Sequence, residues 1–138
     1  MKEIIPRLYL GNSFDAISFP KDKEADIVAV VNTTWEVLNY HEKEGIEYLK
    51  LFLNEASSLT PKISKSVTSF IDKNRKRGGV LVHCNAGMQR SPAIIILYLT
   101  RIGYKLDEAY DTVKCKADYI IPPGKMIDFI EKTSKKRK

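Results

Sequence analysis

The chain has little of what builds a metal site or a disulfide framework: two cysteines, Cys84 and Cys115, and two histidines, His41 and His83. No Cys, Asp or second His stands at metal-ligand spacing around His41, so a surface histidine is expected there and no metal. The two thiols could close a disulfide, but Cys84 is placed for other work. A reducing, intracellular setting is therefore expected, cytoplasmic with nuclear access open. There is no signal-peptide pattern, and the longest wholly apolar run, Ala93 to Leu99, suits a core helix and not a bilayer span. Internal repeats are absent. Cys115, on a helical stretch beside Val113 and Ala117, reads as a small packing residue. The lone tryptophan, Trp35, reads as a core or rim residue, expected to pack and not to stack on a ligand.

What remains is ordinary globular material. Hydrophobic residues make up 43% and charged residues 29% of 138, which suits one domain with a full core. The domain is expected over residues 1–131, with a basic tail at 132–138. The net charge of +6 comes largely from that tail, where Lys132, Lys135, Lys136, Arg137 and Lys138 sit beside only Thr133 and Ser134. A second basic cluster runs from Lys73 to Arg77. Solubility is the simpler reading of both, and weak contact with nucleic acid or an anionic membrane is the other. A compact chain of this size is expected to be a monomer.

Strand signals dominate the first half. Ile4 to Leu10 reads as a short strand interrupted by Pro6, Ile27 to Val31 as a strand covered on both faces, and Ile46 to Leu53 as another. Phe14 to Phe19 suggests a brief helical turn. Ser58 or Thr60 caps a helix from about Pro61 to Arg75 whose apolar stripe is Ile63, Val67, Phe70 and Ile71. Further helices are expected at about Ser91–Ile102, Leu106–Lys116 and from near Lys125. Strands first and helices later make an α/β domain, with a central, largely parallel sheet flanked by helices.

One stretch organises the rest. Gly78 to Pro92 reads GGVLVHCNAGMQRSP: a buried strand, a cysteine at its end, five residues, Arg90, and then an apolar helix. Ligands in open α/β sheets bind at the carboxyl ends of strands, which is where Cys84 falls. Residues Asn85, Ala86, Gly87, Met88 and Gln89 line up backbone N–H groups at a helix N-terminus, a nest for a tetrahedral oxyanion, and Gly87 permits the required φ. Arg90 adds a planar fork for two phosphate oxygens. The same positive field favours a Cys84 thiolate beneath the phosphorus. His83 is expected to order the thiolate and the loop, and Ser91 to hydrogen-bond the sulfur as it leaves.

His83-Cys84-Asn85-Ala86-Gly87-Met88-Gln89-Arg90-Ser91 resembles the signature of the dual-specificity branch of the cysteine-dependent protein tyrosine phosphatases. Pro6 to Gly11 resembles that family's opening strand, and Ala109-Tyr110 with Tyr119 to Pro122 the segment after its signature helix, so the likeness covers nearly the whole chain. It implies the protein tyrosine phosphatase fold, a phosphocysteine intermediate on Cys84, phosphate held by Arg90 and the loop amides, phosphorylated proteins as substrates, and no metal or cofactor.

One departure stands out. The family's general acid is an aspartate after the third strand, and here the matching place holds Asn54, which has no catalytic proton to give. Between Asp26 and Asp72 there is no aspartate at all. The neighbouring Glu55 is the candidate acid; the other reading is an enzyme without one, at a cost of roughly 10²-fold on poor leaving groups. The loop contains no lysine, which argues for phosphoproteins over phosphoinositides. An RNA 5′-phosphatase of the same superfamily is a further alternative, and a non-catalytic phosphate-binding module is the alternative of another class.

Overall fold

The computed structural model describes residues 1–54 and 56–136. Glu55 and the last two residues of the basic tail lie outside the described residues.

The opening apolar run forms a hairpin instead of one strand. β1 (Lys2–Ile5) and β2 (Leu8–Gly11) pair antiparallel, with Lys2 opposite Leu10 and Ile5 opposite Leu8. Pro6 has no N–H for a ladder, and Arg7 takes a positive φ of 66°, so the chain reverses between them. Arg75 clamps the turn, donating from Nε and Nη2 to the Pro6 carbonyl at 3.0 and 2.7 Å.

Three more strands follow: β3 (Ile27–Thr34), β4 (Glu47–Leu53) and β5 (Gly79–His83). The order across the sheet is β1-β2-β5-β3-β4. β2 runs parallel to β5, β5 to β3, and β3 to β4, so β1 alone is antiparallel. The carboxyl ends of β2, β5, β3 and β4 therefore share one edge. β5 is buried at every residue and β3 at all but Val28, as expected for β-branched runs covered on both faces.

The helices are α1 (Ser13–Ser18), α2 (Pro61–Arg75), α3 (Arg90–Arg101), α4 (Leu106–Lys116) and α5 (Gly124–Lys136), with a 3₁₀ turn at Phe19–Lys21. Thr60 caps α2 by accepting from the Ile63 N–H at 3.2 Å, with Pro61 in the first turn. Val67, Phe70 and Ile71 form its buried stripe, and Ile63 packs at the margin. α3 is buried from Arg90 through Thr100 and is the central helix of the larger core, against Leu10, Val31, Val80 and Val82 on one face of the sheet. A smaller cluster of Phe19, Ala25, Ile27, Val30 and Leu81 covers the other face. α5 continues to Lys136, through the first residues of the basic stretch. Among the described residues, no helix is long and apolar enough to cross a membrane.

Two residues, Cys115 and Trp35, differ from expectation. Cys115 is exposed: Ala109 and Val113 are the α4 residues turned to the core, and a position two beyond Val113 faces away. Trp35 is 62% exposed instead of packed. His41 lies near the surface, where its ring meets Phe19 edge-on at 4.8 Å and its Nε2 donates to the Ile17 carbonyl at 2.7 Å.

Candidate active site

β5 ends at His83 and α3 begins at Arg90, so residues 84–89 cross the middle of the carboxyl edge as a tight loop. Gly87 has φ +76°, and a Cβ there would approach the Gly11 carbonyl oxygen at 3.1 Å. Both the turn and the close approach to the β2–α1 junction call for glycine. The loop is tied down from two sides: Ser13 N–H donates to the Asn85 carbonyl at 2.8 Å, and Ile121 N–H to the Met88 carbonyl at 2.6 Å.

Cys84 is 2% exposed. Its sulfur accepts the Gly87 N–H at 3.2 Å and lies 3.1 Å from Ser91 Oγ, in the first turn of α3. An amide, a hydroxyl and a helix N-terminus converging on one sulfur suit a negatively charged atom there. His83 is fully buried and touches the backbone of Cys84, not its sulfur: Nδ1 donates to the Cys84 carbonyl at 3.1 Å. Burial pushes the His83 imidazole below its ordinary pKa, against the opposing hydrogen bond to Cys84. Its Nε2 has no partner among the described residues.

Arg90 is 3% exposed and is gripped by a residue that sequence reading missed. Glu36 accepts from Arg90 Nη1 at 2.9 Å and Nη2 at 2.6 Å, and Nη1 also donates to the Leu53 carbonyl at 2.8 Å. The hydrogen bond to Arg90 holds the Glu36 carboxyl below the usual carboxylate range. The signal for Glu36 was positional. It lies two residues beyond β3, an acid just past the carboxyl end of a central parallel strand.

Glu36, Cys84, Asn85, Ala86, Met88, Gln89 and Arg90 line a cavity of about 210 Å³. Asn54, just past β4, turns back into its own loop: its Oδ1 accepts the Ala56 N–H at 2.9 Å and its backbone N–H donates to Ser57 Oγ at 3.0 Å. A larger cavity of about 970 Å³, among Ile102, Tyr104, Leu106, Ile127 and Ser134, opens at the far end of α3, away from Cys84. Among the described residues, no three His, Cys, Asp or Glu side chains cluster as metal ligands would.

The solved structures the chain resembles include human DUSP28, with a TM-score of 0.88 at 21% identity over 99% of this chain and 97% of that one. Another is a human tyrosine phosphatase-like serine/threonine/tyrosine-interacting protein, with a TM-score of 0.87 at 24% identity over 99% and 97%. Among curated proteins, it is 34% identical to dual specificity protein phosphatase 6 of Homo sapiens, over 92% of this chain and 35% of that protein. It is 36% identical to dual specificity protein phosphatase 2 of Mus musculus, over 87% and 38%. The chain thus spans little more than a third of the length of these relatives. The family model "Dual specificity phosphatase, catalytic domain" matches residues 8–135, and the chain belongs to that family.

Proposed function

We propose that this domain is a protein phosphatase that hydrolyses phosphotyrosine, and also phosphoserine and phosphothreonine, through a phosphocysteine on Cys84. The observation that carries this reading is the floor of the small cavity, where Cys84 Sγ meets Gly87 N–H and Ser91 Oγ with Arg90 alongside. A cavity of about 210 Å³ is smaller than the roughly 300–1,000 Å³ that encloses a whole small-molecule ligand, and it suits the end of a phosphorylated side chain.

The chemistry follows in two balanced steps. Cys84 thiolate attacks phosphorus, an S–P bond forms, and the P–O ester bond breaks with its electron pair leaving on the substrate oxygen. The N–H groups of residues 85–90 and the Arg90 fork hold the three non-bridging oxygens as their charge shifts. The leaving oxygen takes a proton, from Glu55 in this reading, since Asn54 has none to give. Water then attacks phosphorus, the S–P bond breaks, and the thiolate departs with the Ser91 hydroxyl donating to it. Inorganic phosphate is the product. His83 acts at one remove, fixing the Cys84 carbonyl.

The test is turnover of a phosphotyrosyl peptide, a phosphothreonyl peptide, triphosphorylated RNA and phosphatidylinositol phosphates by the wild type and by Cys84→Ser. The proposal expects the peptides to be preferred and Cys84→Ser to lose turnover while still binding phosphate. Preference for the RNA or the lipids moves the assignment to another branch of the superfamily, and no turnover of any of the four would make the domain a phosphate-binding module.

A further inference from the structure

Four large apolar side chains left in water belong to the segments that hold the catalytic loop and Arg90. Phe14 is 73% exposed, Trp35 62%, Phe52 66% and Ile121 57%. Each stands at, or one residue from, a group bonded to the loop or to Arg90. Ser13, beside Phe14, donates to the Asn85 carbonyl at 2.8 Å, and Ile121 itself donates to the Met88 carbonyl at 2.6 Å. Glu36, beside Trp35, pairs with Arg90, and Leu53, beside Phe52, accepts from Arg90 Nη1 at 2.8 Å. One exposed apolar residue needs no explanation; four, from four separate segments that all converge on one loop, call for one. Phe52 carries a second mark, a φ of +56°, which disfavours any side chain and most of all a bulky one.

We propose that this apolar collar selects phosphorylated polypeptide segments with apolar or aromatic residues next to the phosphoresidue; the inference rests on the protein-phosphatase reading above. A cavity this small leaves the rest of the substrate outside, on the collar. Successive residues of an extended chain are about 3.3 Å apart, so the residues flanking the phosphoresidue are the ones that meet the collar. Charge placement favours a polypeptide over a bilayer. Lys73 to Arg77 end α2 just before β5 begins, at the edge opposite the cavity. The start of the other cluster, Lys132, stands on α5 two residues before Ser134, which shares the far cavity with Ile102 at the end of α3. An anionic membrane would draw those clusters towards itself and turn the collar away.

The experiment compares kcat/KM on three phosphotyrosyl peptides of equal length, flanked by Leu and Phe, by Ser and Gly, and by Asp and Glu. Turnover of p-nitrophenyl phosphate normalises each preparation of wild type and of Phe14→Ser/Phe52→Ser. The expected result is a preference of about tenfold for the Leu/Phe peptide over the Ser/Gly peptide, mainly in KM, reduced to about twofold in the double variant. Equal values for the three peptides on the wild type overturn the collar and leave the phosphatase reading standing. Turnover of p-nitrophenyl phosphate but of no peptide overturns both. Co-sedimentation of the wild type with phosphatidylcholine–phosphatidylserine vesicles, lost in the double variant, assigns the collar to a membrane and overturns the proposal.

Discussion

Glu36 and Arg90 meet end to end in the wall of the cavity that Cys84 also lines, two carboxylate oxygens on two guanidinium nitrogens at 2.9 and 2.6 Å. Arg90 is almost fully buried, and a buried charge without a counter-charge is costly, so the pair neutralises the clamp and fixes its plane. Glu36→Gln keeps the shape and removes the charge. The expected outcome is a fall in kcat/KM for p-nitrophenyl phosphate of about tenfold, carried mainly by KM, with weaker inhibition by vanadate. Tighter vanadate binding would show instead that the carboxylate competes with phosphate for the fork.

The same pair gives a pH dependence of stability. Because the Glu36 carboxyl is held below its ordinary range by Arg90, the unfolded chain binds this proton more readily than the folded one. Its contribution is complete above the unfolded pKa and is lost as pH falls through the depressed folded value. Urea midpoints measured from about pH 7 down to about pH 3 should fall less steeply for Glu36→Gln than for the wild type. Parallel curves would mean that the pair contributes nothing.

Ser91 Oγ lies 3.1 Å from the Cys84 sulfur, in place to donate as the thiolate leaves. Ser91→Ala is expected to slow breakdown of the phosphocysteine by roughly 10- to 100-fold while leaving its formation fast. Stopped-flow with p-nitrophenyl phosphate then shows a burst followed by a slow steady state. A uniform loss without a burst assigns Ser91 to loop structure.

Asn54 accepts the Ala56 N–H through Oδ1, and an aspartate keeps an acceptor at that place. Asn54→Asp is therefore expected to preserve the turn and to raise kcat on a poor leaving group such as phenyl phosphate, by up to about 10². Glu55→Gln should lower the same rate and remove the basic limb of the pH–rate profile. If neither variant changes the profile, the proton comes from outside this loop.

The site was legible where one local segment builds it, and illegible where distant segments meet. Strand, Cys84, Gly87, Arg90 and Ser91 are consecutive, so their order alone places the sulfur at a strand end and the hydroxyl in the first helical turn. The buried runs of β3 and β5 and the Thr60–Pro61 start of α2 were readable for the same reason. Glu36 is 54 residues from Arg90, and its pairing follows from β3 and β5 being neighbours in the sheet, which no local pattern encodes. A lone tryptophan carries little local information, so the sequence does not separate a core place for Trp35 from a rim one. Trp35 is 62% exposed, directly after the carboxyl end of β3 and beside Glu36. The hairpin at Pro6–Arg7 was hidden because the apolar run continues across a turn that depends on Arg7 adopting a positive φ.

A phosphoryl group carried on Cys84 is detected by acid-quenching the protein within one turnover of a phosphotyrosyl peptide and mapping the phosphate by mass spectrometry. The expected result is phosphate on Cys84 in the wild type, a larger fraction of it in Ser91→Ala, and none in Cys84→Ser, which also fails to turn over. Phosphate on any other residue, or wild-type turnover by Cys84→Ser, would contradict it.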